Sequence, residues 1–224
     1  MKKKGNNSEP FFINDEISVI SLGDRCFARS FFESSQIFNF KKREKRMPFD
    51  GCLTKYESTL SLIDKDFNNV FQGLRLNPKK DRRGRFSFLT DFQSHLHEQD
   101  ASLKSFRNEM SMRINQFREE LKSCSIHNKK IVFILMYDLL PSELIDLLKN
   151  KYPRLDFTIF NLATNFSDKK TESHQNKYYS FNHIPKPFKS YTFNNSKHKK
   201  SSAGQNYEKE IIHIFKNFIT EIKN

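Results

Sequence analysis

Cys26 stands where a thiol can become reactive. It follows Ile17-Ser18-Val19-Ile20-Ser21-Leu22, a short apolar run rich in β-branched residues, and the break made by Gly23 and Asp24. Phe27-Ala28-Arg29-Ser30-Phe31-Phe32 then resumes in a helical pattern, which predicts a helix over residues 25–36. Unpaired N–H groups in the first turn of a helix, together with the helix dipole, favour a thiolate over a thiol. The same groups can hold an oxyanion, so an acyl-transfer nucleophile fits this turn. The alternative is a small buried residue packing helix against sheet, the usual situation of a free cysteine.

A second polar cluster spans Thr90 to Asp100 and holds Asp91, His95, His97, Glu98 and Asp100. His95 and His97 are two apart, so they share a face only on an extended segment. A metal site would need further ligands that the sequence does not place, and none is assigned. Either histidine is open to a role as base. The competing reading is a surface loop with exposed histidines. His213, beside an apolar stripe in the last helix, reads as structural.

The elements that must position these residues are legible in the spacing of apolar residues. Thr54 with Glu57 three residues on forms a capping-box pattern, predicting a helix that carries Leu60, Ile63 and Phe67. Phe86, Phe88 and Leu89 predict a short strand. Leu103, Phe106, Met110, Ile114, Phe117 and Leu121 recur at spacings of three and four and predict a helix over 102–123. The continuous run Ile131–Met136 predicts a strand covered on both faces. Pro141 opens a helix with Leu144, Leu147 and Leu148, and a strand with Leu155, Phe157, Ile159 and Phe160 follows. That order predicts a βαβ unit and a partly parallel sheet. Tyr178 to Ile184 predicts another strand after a polar stretch over Ser167–Asn176, and Tyr207, Ile211, Ile212, Phe215, Phe218 and Ile219 predict a terminal amphipathic helix.

Composition bounds the class. The 224 residues suit one α/β domain over 15–224, after a disordered basic tail over 1–14 and with a flexible basic loop at 185–204. Apolar residues make up 36%, but 24 Phe supply much of what a core needs. The net charge of +13 favours anionic partners, although Lys- and Asn-rich coding bias produces the same excess without any ligand. Basic runs at Lys41–Arg46 and Lys79–Arg85 read as solvated loops that are able to meet phosphate. Cys26, Cys52 and Cys124 have neither C-x-x-C nor zinc-ligand spacing, which argues against a disulfide framework. No apolar run approaches the roughly 18 residues of a membrane span, and no signal-peptide core follows the basic N-terminus; the expected compartment is the cytoplasm.

Ser21-Leu22-Gly23-Asp24-Arg25-Cys26, then Pro48-Phe49-Asp50 and a helix running to Asp66-Phe67, resemble a bacterial family of papain-like cysteine peptidases first known as a domain of unknown function. Its members pair an SLG-x-x-C turn with a PFDW segment, then a helix, an F-x-H-D-F-like stretch, an Arg-Ile-x-x-Phe helix and a hydrophobic strand. The counterparts here are Phe88-Leu89-Thr90-Asp91-Phe92, Arg113-Ile114-Asn115-Gln116-Phe117 and Ile131-Val132-Phe133-Ile134-Leu135, so the resemblance covers residues 17–162. Two positions depart from the pattern: Gly51 replaces the aromatic residue after PFD, and Thr90 stands in the place of the histidine.

The resemblance implies a papain-like or related three-layer fold, with a small, partly parallel sheet flanked by helices. It implies Cys26 as nucleophile, His95 or His97 as base just past the family's histidine position, and Asp50 as the carboxylate that orients the base. Asp24 competes with Asp50, but beside the cysteine it would oppose thiolate formation. Asp24, Arg25 and Phe49, which lie in the two motifs, are assigned to substrate contact. Peptide or other acyl hydrolysis needs no cofactor and no metal. Acyl transfer to a sugar in surface polysaccharide biosynthesis is the alternative, with coenzyme A as donor held by the basic loops. The two departures favour a third reading, a non-catalytic binding protein on the same fold. The expected partner is an anionic small molecule, a peptide or a polysaccharide. Nucleic acid is not expected, because the phenylalanines fall on apolar faces and no binding motif is present. The sequence carries no signal for oligomeric state.

Overall fold

A computed structural model describes residues 16–23, 46–78, 86–98, 102–137, 141–162, 167–175, 177–184 and 200–223, with side chains omitted for 96–98, 167–175 and 182–184. The described elements are β1 (Ile17–Ser21), β2 (Cys52–Thr54), α1 (Tyr56–Asp64), β3 (Arg75–Leu76), β4 (Phe86–Leu89), β5 (Gln93–Glu98), α2 (Leu103–Ile126), β6 (Lys130–Leu135), α3 (Ser142–Lys151), β7 (Phe157–Leu162), β8 (Ser167–Gln175), β9 (Tyr178–Ile184) and α4 (Ser202–Lys223). The described residues are α/β and form two sheets.

The larger sheet has the order β1-β6-β7-β9-β8. Its first four strands run parallel, and β8 closes the edge antiparallel to β9. The interior strand β6 shows why. Ile131, Phe133 and Leu135 enter one apolar cluster with α1, α2 and α3, while Val132, Ile134 and Met136 enter another with α4. Alternate residues of a strand point to opposite faces, so a strand that is apolar throughout needs cover on both. On the α4 side, Phe160 stacks on Tyr179 at 5.1 Å and meets Phe215 edge-on at 4.9 Å. The β6–α3–β7 unit is the predicted parallel crossover.

The smaller sheet, of order β2-β5-β4-β3, is antiparallel throughout. Phe106 of α2 covers it, stacking on Phe88 at 4.6 Å.

Two local expectations are corrected. Thr54 ends β2 and does not cap α1; the cap position belongs to Lys55, which makes no side-chain cap bond. The segment after Thr90 is a strand rather than a loop, and His95 within it is wholly buried. The polar stretch at 167–175 is also a strand, held by its ladder to β9. The predicted helix at 25–36, the tail at 1–14 and the basic loops at 41–45, 79–85 and 185–199 lie outside the described residues. Among the described residues, no helix is long and apolar enough to cross a membrane.

Candidate functional site

The carboxyl edge of the parallel sheet meets the small sheet at Gly23. Beyond β1, Leu22 N donates to Ile134 O at 3.0 Å, which extends the ladder by one residue. Leu22 O accepts from Thr59 Oγ1 of α1 at 3.1 Å. Gly23 follows with φ +115°, a conformation that side-chain-bearing residues rarely adopt. A Cβ there would lie 3.0 Å from both Thr59 Oγ1 and Tyr137 Oη, and 3.2 Å from Thr54 Cβ. The glycine of the S-L-G run is therefore required twice, by its dihedral and by close approach. Asp24, Arg25 and Cys26 continue from this point and lie outside the described residues.

Tyr137 joins the two sheets here. Its hydroxyl donates to Thr54 O at 2.8 Å and lies 3.2 Å from Thr59 Oγ1. Its peptide is clamped by Asn161 of β7, whose Oδ1 accepts from Tyr137 N at 3.0 Å and whose Nδ2 donates to Tyr137 O at 2.8 Å. A side-chain amide thus replaces a strand partner at a point where the chain leaves the sheet, so these buried backbone groups stay satisfied.

From Thr54 a buried polar chain runs into the small sheet. Thr54 pairs with Gln93 and Cys52 with His95 across β2 and β5. Gln93 Nε2 donates to Thr54 Oγ1 at 3.3 Å, and Gln93 Oε1 lies 2.8 Å from His95 Nε2. The amide oxygen can only accept, so Nε2 carries the imidazole proton and Nδ1 bears the lone pair. Among the described residues no group hydrogen-bonds to Nδ1. Phe106 meets the ring edge-on at 4.8 Å. Burial, and secondarily the Arg113 guanidinium, push the His95 pKa down to about 3, so the ring is neutral at physiological pH.

Asp50 closes its own turn. Its Oδ2 accepts from Met47 N at 2.7 Å, and its N donates to Met47 O at 3.0 Å. Arg113, buried on α2 and paired with Glu109, donates from Nη1 to Asp50 O at 3.0 Å. Among the described hydrogen bonds, none joins Asp50 to His95; the group at His95 Nε2 is the Gln93 amide. Phe49 is enclosed, 5.6 Å from the Phe67 ring and 6.4 Å from that of Phe117. Phe67 reaches it from a left-handed turn, with φ 51° at Asp66 and 62° at Phe67, which Arg118 holds through bonds to Asp66 O and Oδ2, both 2.8 Å. As placed, Phe49 anchors the turn by packing. Gly51 next to it has φ +74° and open space where a Cβ would stand.

The backbone of His97 lies in β5, beside a register shift between β4 and β5, and its side chain lies outside the described residues. Thr90 is the turn-former between these strands: its Oγ1 accepts from Gln93 N at 2.9 Å and Phe92 N at 3.2 Å. Cys52 and Cys124 are buried thiols, and Cys52 Sγ donates to Phe49 O at 3.0 Å.

Sequence reasoning gave no place in the site to Thr54, Thr59, Gln93, Arg113, Tyr137 or Asn161. The available signal was Asn161 within a largely apolar strand, since a buried amide must find partners. No protein-family model matches the chain, and no curated protein matches its sequence.

Proposed function

We propose that this protein is a thiol-dependent acyl-transfer enzyme with Cys26 as nucleophile, in the manner of the papain-like peptidase family its motifs resemble. The observation that carries this reading is the exit of β1 through Gly23. Three residues before Cys26, the chain is fixed at the carboxyl edge of a parallel sheet, the edge where open α/β sheets bind their ligands. In the reaction, Cys26 Sγ bonds to the acyl carbon and the leaving group departs with the thiol proton. Water, or an acceptor hydroxyl in the transferase alternative, then takes the acyl group and restores the thiol. His95 in its neutral form offers the Nδ1 lone pair as an acceptor. Its surroundings oppose a standing imidazolium, so a permanent thiolate–imidazolium pair at His95 is not part of the proposal.

An activated ester tests this. Incubation with p-nitrophenyl acetate is expected to release a burst of about one nitrophenol per chain and to leave one acetyl group on the peptide containing Cys26. Cys26→Ala should abolish both. Acetylation confined to lysines, or no burst, would overturn the reading. One observation favours a second reading, a non-catalytic binding protein on the same fold: His95 has no exposed surface and is held neutral within an aromatic wall. That reading predicts no acyl-enzyme at all.

A further inference from the structure

We propose that Cys52 is an acid-gated thiol, covered in the closed fold and uncovered when His95 takes up a proton and β5 unfolds locally from β2 and α2. This goes beyond the acyl-transfer reading and makes no use of Cys26.

The gate is one row of the small sheet. His95 of β5 stands opposite Cys52 of β2 on one side and Phe88 of β4 on the other, so the three share a face. All three are buried, and Phe106 of α2 lies against both the Phe88 ring and the imidazole. The next row, Thr54 opposite Gln93, ties the first together. Cys52 Sγ lies 3.2 Å from Thr54 Oγ1, which accepts from Gln93 Nε2, and Gln93 Oε1 accepts from His95 Nε2. The covered face of the sheet is thus held by a polar chain as well as by aromatic packing.

A proton added to this chain has one place to go on the ring. Nε2 already donates to Gln93, so the proton binds at Nδ1, where no described residue offers a hydrogen bond. The closed fold would then hold a charged ring with a buried N–H that lacks an acceptor, and such a group is costly to keep from water. Among the described residues, β2 faces the ring with the Cys52 thiol, β4 with Phe88, and α2 with Phe106 and the Arg113 guanidinium, which is paired with Glu109. The charge on Arg113 opposes a second positive charge beside it. When β5 leaves, β2 stays: Tyr137 Oη donates to Thr54 O at 2.8 Å, and Cys52 Sγ to Phe49 O at 3.0 Å. The thiol is therefore uncovered where it stands. Cys124, the other buried thiol among the described residues, lies on α2 outside this row and serves as the internal control.

Dithiodipyridine, a disulfide that labels thiols even in acid, reads the gate. Labelling of each cysteine is followed by peptide mass, and its rate is divided by that of a short cysteine peptide at the same pH. The His95 pKa is about 3 when covered and 6.5 when exposed, so opening is favoured as pH falls below 6.5. The uncovered fraction should rise on the order of a hundredfold from about pH 7.5 to about pH 4.5. We expect that rise at Cys52, none at Cys124, and none at Cys52 in His95→Gln or His95→Phe. A Cys52 rate that stays flat, that rises in step with Cys124, or that rises as much in the variants would overturn the inference. Should neither variant fold, the wild-type ratio of Cys52 to Cys124 labelling decides: a rise of about a hundredfold supports the gate, and a constant ratio overturns it.

Discussion

Between pH 6.5 and about 3, the unfolded chain binds a proton at residue 95 that the folded protein refuses. The folded pKa is lowered, so the stability tied to a neutral His95 is fully present above 6.5 and is lost as pH falls toward 3. We expect the wild type to lose about 1.4 kcal/mol per pH unit more than His95→Gln between about pH 6 and 4, as measured by urea unfolding. Parallel curves for the two proteins would mean that His95 protonates freely and lies in a wetter place than described. Little of this was legible in the sequence. The polar run Ser94-His95-Leu96-His97-Glu98 has the composition of a loop, and only the register of β5 against β2 and β4 buries His95 opposite Cys52 and Phe88. The pairing of β5 with β2, some forty residues earlier, is set by the sheet as a whole and leaves no local mark. Arg113 was hidden for the opposite reason. It lies beside the apolar stripe of α2, where a charged residue reads as solvent-facing until the Asp50 carbonyl is found within its reach.

The turn after β1 and the turn before β2 both place a glycine at positive φ, yet they make opposite demands. At Gly23 the added methyl meets two hydroxyl oxygens and Thr54 Cβ; at Gly51 it meets nothing. Gly23→Ala should therefore cost about 2–5 kcal/mol, from backbone strain and crowding together. Gly51→Ala should cost about 1–2 kcal/mol, from its dihedral alone. Equal losses on chemical denaturation would contradict the close approach at Gly23. The helices and the parallel strands could be read ahead because their apolar periods are long and strong, as in α2 and β6. The boundary at Thr54 could not. A Thr-x-x-Glu spacing suits a capping box, but the same threonine is β-branched and ends a strand, and its hydroxyl serves Gln93. For β8 the signal was absent altogether, because an edge strand of polar residues is held by backbone bonds that composition does not reveal.

At the scale of the molecule, one sheet divides two apolar cores, and the site lies where the first of them meets the small antiparallel sheet. The α4 core contains none of the site residues and serves stability. Phe215→Ala, which removes a fully buried ring from Phe160 and Phe218, should cost about 3–5 kcal/mol and leave the thiol reactivity of Cys26 unchanged. A loss of that reactivity in a folded Phe215→Ala protein would show that the two cores are coupled. On the other face, β1, β2, α1 and the end of β6 converge on Gly23, and the claim that they do so to present a nucleophile stands or falls with Cys26. The most direct measurement is the pH dependence of Cys26 alkylation by iodoacetamide in the native protein, with Cys26→Ala as control. Cys52 and Cys124 are buried and should react only on unfolding. The account predicts a single fast thiol whose midpoint lies well below the roughly 8.5 of a free cysteine. A Cys26 that titrates like a free thiol, or that fails to react in the native state, would contradict it.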